Sequence, residues 1–352
     1  MWHAKSLKSF PPPKDPPVYS IWLLGDAGRL PQGPAKALFD SLKAQLTRAS
    51  SHSMLVFLGD NVYPQGLASE GHSERSRQEE ILARQVALYE SFPGTVLWLA
   101  GNHDWQRGGP EGWPARLRQE AWIEKKSERG NVYLPDSGCP GPYVLRPNPG
   151  LALVALDTQW WLHETERPMH SCGLETEDDF LKNLKDTLAH LWGSRVVLVG
   201  HHPLLSRGPH GGAYPWQAHV FPLAEHFRWG WIPMPLLGTA YVLMRRAGYI
   251  QDLTHRHYQR WRDTLLSALK KHPGSVYVSG HDHGLQYLKK DNIHFLVSGS
   301  GSETSHIVRG RNLMAAANRR GYVKLEFYNN MLLCYFYTFG KKSECFTFRL
   351  MD

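Results

Sequence analysis

Two histidines, one residue apart, follow the end of an apolar run. The stretch Gly280–His283 reads GHDH and comes directly after SVYVS, residues Ser275–Ser279. Alternate side chains of an extended chain point to the same side, so the two imidazoles are predicted to lie together while Asp282 points away from them. Because neutral imidazole is a common metal ligand, this pair predicts a binding site at a strand end.

Other polar residues also follow apolar runs that are typical of buried strands. Because ligands of open α/β sheets gather beyond the carboxyl ends of the strands, these side chains should converge with the histidine pair. Asp, Asn and His side chains are ligands that suit Fe, Mn or Zn, and they do not indicate thiolate chemistry. This many ligands exceeds what one catalytic ion needs, so two metal ions are expected. Each residue alone could instead cap a helix or form a turn. The six candidates are Asp26 after YSIWLL, Asp60 after MLVFL, Asn102 after TVLWLA, His201 after RVVLV, and His281 and His283.

Predicted helices alternate with these strands. Four later apolar runs lie closer together and are typical of antiparallel strands, namely HFLVSGS, GYVKLEFY, MLLCYFYTF and ECFTFRL. We therefore predict an α/β domain over residues 19–352, with a second sheet built largely by the later strands, after an extended lead-in over residues 1–18. The helices are expected at Pro34–Leu46, Ser73–Phe92, Asp178–Leu191 and Tyr258–Lys271.

Five short motifs occur in a characteristic order: GDAG, GDNVY, GNHD, GHH and GHDH. This set resembles the calcineurin-like metallophosphoesterase superfamily, and the Tyr of GDNVY resembles its purple acid phosphatase-like branch. The resemblance implies a four-layer α/β/β/α sandwich of two mixed sheets flanked by helices, with two metal ions at its edge. It also implies Fe(III) at the Tyr63 site and Fe, Zn or Mn at the second site. By the same motifs, Asp26, Asp60, Tyr63 and His283 hold one ion, and Asp60, Asn102, His201 and His281 hold the other.

The resemblance implies a phosphoric ester hydrolase, foremost an acid phosphatase that cleaves monoesters by attack of metal-bound hydroxide. His103 is then the general acid for the leaving group, Asp104 orients His103, and His210 lies on the substrate side. A phosphodiesterase or nucleotide pyrophosphatase is the alternative within this class. From another class, the chain could be a phosphate- or nucleotide-binding module of the cell envelope.

The net charge and the hydropathy pattern limit the classes of partner that the protein is expected to bind. The formal net charge of +8 suits a small anionic phosphate ester, whereas scattered Lys and Arg do not predict specific nucleic-acid binding. The apolar stretch Trp229–Met244 is too short to span a bilayer and contains two prolines, so a buried or partner-facing loop is expected there. It belongs to a long insertion at about residues 206–256, which is predicted to form a lid or binding surface. The sequence does not determine the oligomeric state.

The four cysteines are informative about the cellular compartment of the protein. A disulfide between Cys139 and Cys172, both in loops, is expected outside the cytoplasm, while Cys334 and Cys345 on a predicted hairpin either pair or remain free. No signal peptide is recognisable at the start of this chain. The insertion also resembles bacterial phosphoesterase domains that precede surface-antigen type outer-membrane barrels. We therefore expect an extracytoplasmic protein, in the periplasm or at the cell surface, with envelope association.

Overall fold

Two β-sheets pack face to face in this computed structural model, which describes residues 2–3, 10–11, 13–224 and 230–351. The strands are β1 Trp2–His3, β2 Tyr19–Leu24, β3 Ser53–Phe57, β4 Thr95–Trp98, β5 Tyr143–Asn148, β6 Leu151–Ala155, β7 Arg195–Val199, β8 Val276–Ser279, β9 Leu285–Lys290, β10 Ile293–Ser298, β11 Leu313–Ala317, β12 Arg320–Phe327, β13 Leu332–Phe339 and β14 Glu344–Met351. One sheet has the strand order β1-β11-β9-β10-β8-β7-β6-β5, and the other has the order β14-β13-β12-β2-β3-β4.

Helices cover the outer faces of both sheets. Alternation along β2 shows the layering, because Ile21 and Leu23 join the core between the sheets while Trp22 and Leu24 pack with helical residues on the other side. The predicted four-layer sandwich of two mixed sheets flanked by helices is confirmed. The helices are α1 Pro34–Thr47, α2 Arg75–Val86, α3 Gly112–Ser127, α4 Thr158–Leu162, α5 Glu177–His190, α6 Trp216–Val220, α7 Pro235–Gly248 and α8 Arg256–Leu269.

The assignment of strands to the two sheets differs from the sequence prediction. The last strands β12, β13 and β14 do not form a separate sheet but extend the one that contains β2, β3 and β4. β12 pairs antiparallel with β2, with Val323 opposite Leu23. The other sheet consists of β5–β11 with the short β1 at its edge, and of the four later runs only HFLVSGS, which forms β10, belongs to it. Hydrophobic periodicity predicts where a strand is, but it does not choose the strand's neighbour.

Parallel strands of both sheets end at one edge of the sandwich. β2, β3 and β4 are parallel in one sheet, and β7 and β8 are parallel in the other. The five motifs follow these five strands, so the fold brings all of them to a single edge.

Two local predictions change. The predicted helix Ser73–Phe92 is shorter, since α2 ends at Val86 and turns follow. Of the stretch Trp229–Met244, residues 230–244 are described, and they include most of α7, a helix with an exposed apolar face rather than a buried loop. No helix within the described residues is long and apolar enough to cross a bilayer. In the lead-in, β1 pairs with β11, whereas residues 1, 4–9 and 12 lie outside the described residues.

The expected disulfide between Cys139 and Cys172 is present. Cys334 and Cys345 are free, because β13 and β14 pair in a register that sets Cys334 opposite Phe348 and Cys345 opposite Tyr337. The two thiols therefore lie at different positions along the hairpin and do not face each other.

Candidate metal centre

An amide and two imidazoles from different strand ends meet in a buried cluster, which we call the imidazole half of the site: Asn102, His201 and His281. The Asn102 Oδ1 atom lies 3.0 Å from His201 Nε2 and 3.1 Å from His281 Nδ1. The two ring nitrogens are 3.2 Å apart. The fold thus brings together predicted site residues that are up to 179 positions apart.

The hydrogen bonds behind these rings determine which ring nitrogens carry protons. His201 Nδ1 lies 2.8 Å from the Leu58 carbonyl oxygen, and His281 Nε2 lies 2.9 Å from the Gln251 carbonyl oxygen. Carbonyl oxygens only accept, so these two nitrogens donate and the opposite nitrogens keep their lone pairs. In neutral rings those lone pairs and the Asn102 oxygen face one another, which is unfavourable unless a cation lies between them. Burial lowers the pKa of His281, whereas at His201 burial is outweighed by the charges of Asp60 and Asp26, which raise the pKa, so either a metal ion or a proton on His201 relieves the contact.

The geometry of the imidazole half fits a metal ion. Ligand atoms held about 2.1 Å from one ion lie roughly 3 Å from one another when adjacent. The spacings of 3.0–3.2 Å match that value. Buried acceptors with this spacing, two of them imidazoles oriented by an outer carbonyl, are a donor set that suits Fe, Zn or Mn.

The second cluster contains Asp26, Tyr63 and His283, and we call it the carboxylate half. The Tyr63 hydroxyl donates to Asp26 Oδ1 at 3.1 Å and lies 3.2 Å from His283 Nε2. Burial, reinforced by the Asp26 charge, raises the pKa of Tyr63 well above its usual value. The three groups can therefore satisfy one another with protons, and only a highly charged cation would stabilise a Tyr63 phenolate.

His283 reaches two carboxylates. Its Nε2 lies 3.4 Å from Asp26 Oδ1 and its Nδ1 lies 3.4 Å from Glu303 Oε2. Burial lowers the pKa of His283, but Asp26 and Glu303 outweigh that effect and raise it to about 9. Glu303 is in turn held by Arg29. A carboxylate behind a ligating histidine orients the ring and increases its basicity, so Glu303 is an outer partner that the sequence did not reveal.

Asp60 lies between the halves. Its Oδ1 is 3.4 Å from His201 Nε2, and donor atoms of Asp26, Asp60 and His201 lie within 4.8 Å of one another. Burial raises the pKa of the Asp60 carboxyl, but the facing histidines His201 and His103 lower it on balance. The backbone N–H of His103 also donates to it at 2.9 Å. A shared carboxylate at this place suits two neighbouring ions.

The backbone that carries these residues is strained. Asp26, Asp60 and His281 have positive φ values of 57°, 55° and 67°, a region that L-residues rarely adopt. A Cβ on Gly101 would lie 2.3 Å from the Asp60 backbone nitrogen, so only glycine fits there. Such strain persists where the surrounding structure imposes it, as expected for loops selected to place ligands.

The ring of His103 borders the carboxylate half. Its Nδ1 lies 2.5 Å from the Pro64 carbonyl oxygen, so Nδ1 donates there, and Nε2 is 3.8 Å from Asp60 Oδ2. Burial lowers the pKa of His103, partly offset by Asp60. Asp104 lies next in sequence, but its carboxylate accepts hydrogen bonds from Asn61 and Gly101 rather than from the His103 ring. Asp104 therefore ties two ligand loops together, and Pro64 performs the orienting role expected of Asp104.

His210 lies over the imidazole half. Its ring centroid is 3.9 Å from that of His281, and its Nδ1 is 2.8 Å from Asp252 Oδ1. Arg245 also holds Asp252, with contacts of 2.7 and 2.8 Å. Asp282, the middle residue of GHDH, points away from the metal ligands as predicted and binds the backbone N–H of His210. The insertion thus contributes residues of its own to the site.

His202 is also near the imidazole half, but both of its ring nitrogens have other partners. Nδ1 lies 2.8 Å from Thr158 Oγ1, and Nε2 lies 2.7 Å from Gln251 Oε1. Burial lowers its pKa well below the usual value. His202 is therefore placed as a neutral support for the Gln251 region rather than as a ligand.

An open cavity of about 650 Å³ leads to these groups. Arg107 lines it and has no carboxylate partner among the described residues, which leaves its charge for an anionic ligand. Asp60, Tyr63, Asn102, His103, His210, His281 and His283 also line it. The cavity therefore exposes both halves of the site to one bound molecule.

Fold and donor cluster together define a metallophosphoesterase. The chain belongs to the calcineurin-like phosphoesterase family, whose model matches residues 19–285. This family uses a dinuclear metal centre. Tartrate-resistant acid phosphatase type 5 of Sus scrofa is 24% identical over 307 residues, covering 81% of this chain and 70% of the relative.

Solved structures share the fold at low identity. Purple acid phosphatase PPD1 from yellow lupin seeds has a TM-score of 0.56 at 14% identity, covering 96% of this chain and 55% of that one. GAP50, described as the anchor in the inner membrane complex of Plasmodium, has a TM-score of 0.58 at 17% identity, covering 95% and 88%. These likenesses show the fold alone, and they include a protein described as an anchor.

Proposed function

We propose that the protein is an acid phosphatase that cleaves phosphomonoesters with two bound metal ions. The observation that carries the proposal is the imidazole half, where two imidazoles oriented by outer carbonyls and an amide oxygen meet beside a cavity. A module that only bound phosphate would not need such a donor set. The acid phosphatase relatives support the same assignment.

The two halves suit different ions. We propose Fe(III) in the carboxylate half, because an aspartate and a phenol offer hard, anionic donors once the Tyr63 proton is lost. The imidazole half, with neutral donors beside the shared Asp60, suits Fe, Zn or Mn. When bound, such a pair of ions supplies an activated water as nucleophile and neutralises phosphoryl oxygens.

The chain's own residues supply binding and proton transfer. The Arg107 guanidinium binds the phosphate dianion in the cavity. The Pro64 carbonyl accepts from His103 Nδ1, so Nε2 is directed at the leaving-group oxygen and donates its proton there from the imidazolium form of the ring, which the Asp60 charge favours. His210, oriented by Asp252, contacts the substrate from the other side.

The role of His103 is tested with leaving groups of different basicity. In His103→Ala, hydrolysis of an alkyl phosphate should fall by roughly 10²–10⁴-fold, because an alkoxide needs a proton to leave. Nitrophenyl phosphate should lose much less. His52→Ala, an exposed histidine away from the site, is the control. Equal losses for both substrates would contradict the general-acid role.

A phosphodiesterase or nucleotide pyrophosphatase is the second candidate. The 650 Å³ cavity favours it, because that volume has room for more than a phosphate group. Metal-loaded protein should be assayed with nitrophenyl phosphate, bis-nitrophenyl phosphate and a nucleotide. Preference for the diester would replace the monoesterase assignment, and no turnover of any of them would favour the phosphate- or nucleotide-binding module.

We also propose an extracytoplasmic location in the periplasm or at the cell surface. The disulfide between Cys139 and Cys172 supports it, since such bonds persist in oxidising compartments. Non-reducing peptide mapping of freshly isolated native protein should find the two cysteines linked. Two free thiols in that sample would count against the location.

A further inference from the structure

The insertion displays a large apolar surface next to the cavity. Of the twelve large hydrophobic side chains that are exposed among the described residues, nine lie between residues 216 and 249. Leu236, on α7, is 86% exposed. We call this surface the insertion face: Trp216, Trp231, Ile232, Leu236, Leu237, Tyr241, Leu243, Met244 and Tyr249. Contiguous apolar surfaces of this kind mark interaction sites.

The inner side of α7 packs closely against the rest of the protein, although its outer side is exposed. Its inner side buries Gly238 and Val242, and a Cβ on Gly238 would lie 2.3 Å from the His219 carbonyl oxygen of α6. Arg245 at its end is anchored by Asp252. The outward leucines are therefore held in place by the packing of the inner side.

The insertion face has an unusual charge pattern. Residues 230–250 contain no Asp or Glu, and their only charged residues are Arg245 and Arg246. Arg245 is paired with Asp252, so Arg246 is the exposed cation of this stretch. Exposed Trp, Leu, Ile and Met beside an exposed arginine suit the interface of an anionic bilayer. The net charge of +8 adds a long-range attraction to the same surface.

A second copy of this chain fits the insertion face less well. A two-fold interface would bring the same patch of both copies together, so Arg246 would approach its counterpart without an acidic residue in residues 230–250 to offset it. It would also cover the cavity, because Tyr241, Met244 and Tyr249 belong both to the insertion face and to the cavity wall.

We propose that the insertion face docks on the anionic surface of a lipid bilayer and presents the site to phosphomonoesters of membrane lipids. This inference rests on the proposed phosphatase function. The phosphate would lie at the metal ligands and Arg107, and the apolar chain would leave along Tyr241 and Met244 towards the bilayer. Because the cavity wall runs from the donor cluster to the exposed apolar surface, the cavity suits an amphiphilic substrate.

The experiment compares the full chain with Leu236→Asp/Leu243→Asp, two exposed positions outside the cavity wall. The original protein should sediment with phosphatidylcholine vesicles that contain phosphatidic acid and should hydrolyse that lipid. The double variant should lose both by about tenfold or more, because charges cannot enter the interface. Its hydrolysis of nitrophenyl phosphate should stay within about twofold, which shows that the fold is intact. Trp192→Asp, 73% exposed outside the insertion, is the matched control and should change neither.

Several results would overturn the docking. These are equal vesicle binding by the double variant, no vesicle binding by a protein that hydrolyses nitrophenyl phosphate, or a dimer in solution that the double variant dissociates. The proposed function fails separately. Vesicle binding by a metal-loaded protein that cleaves no phosphate ester would support docking and overturn the hydrolase assignment.

Discussion

The two halves of the metal site differ in what satisfies them when no ion is bound. In the carboxylate half, Tyr63 donates to Asp26, and His283 lies between the carboxylates of Asp26 and Glu303. In the imidazole half, the outer carbonyls orient both rings so that, when the rings are neutral, acceptors face one another. One proton on Tyr63 satisfies the first half, whereas the second half needs an additional proton on His201, where burial lowers the pKa but Asp60 and Asp26 outweigh that effect and raise it. The imidazole half therefore depends more strongly on a bound metal ion than the carboxylate half does.

The largest effect is expected where the halves join. Asp60→Asn removes the shared charge, so each chain should bind fewer than two ions and turnover should fall by about 10³-fold or more. Metal content after dialysis and steady-state assays measure both effects. Asp263→Asn, at an exposed position, is the control. Retention of two tightly bound ions would show that the halves are independent.

His201→Gln tests the imidazole half and should lower turnover by roughly 10²-fold with loss of one ion. Its effect on stability should change sign with metal. In metal-free protein above the pKa of His201, where the ring is neutral, the Gln amide can donate to Asn102 Oδ1, so the melting temperature should rise by about 1–2 °C if roughly 1 kcal/mol is gained. In loaded protein it should fall. Calorimetry with and without chelator measures this, and a fall in both states would contradict the facing lone pairs.

Tyr63→Phe tests the carboxylate half and should behave in the opposite way. Metal-free protein should be destabilised by about 1 kcal/mol, because Asp26 loses a buried donor. Loaded protein should lose its visible absorption, and turnover should fall by roughly tenfold. Tyr143→Phe, on the surface, controls for loss of a phenol. A colourless original protein loaded with iron would refute phenolate ligation.

The smallest effect is expected at the outer carboxylate. Glu303→Gln keeps the size of the side chain but removes the charge behind His283, so ion affinity of the carboxylate half should fall by about tenfold. Competition with a chelator measures the affinity. Glu344→Gln removes the carboxylate of a comparable Arg–Glu pair elsewhere and should have no effect. An unchanged affinity in Glu303→Gln would restrict Glu303 to holding Arg29.

The sequence predicted the candidate ligands because their residue types stand at strand ends, where parallel topology makes them converge. It did not predict what orients them. The acceptors behind His201 and His281 are backbone carbonyls of Leu58 and Gln251, which any residue type provides. Asp252 is distant along the chain and enters only through tertiary packing. The sheet of β12–β14 was wrongly assigned for the same reason, since partner choice is non-local.

The Gln251 carbonyl also connects the insertion to the metal. It accepts from His281, so an ion that holds His281 also holds the end of the insertion. By thermodynamic linkage, the packing of the insertion contributes to the free energy of metal binding. Shortening the insertion would therefore weaken metal binding, and removing the metal with a chelator would expose the insertion to proteases. A variant engineered with a shorter insertion would therefore need a higher metal concentration to keep its ions bound.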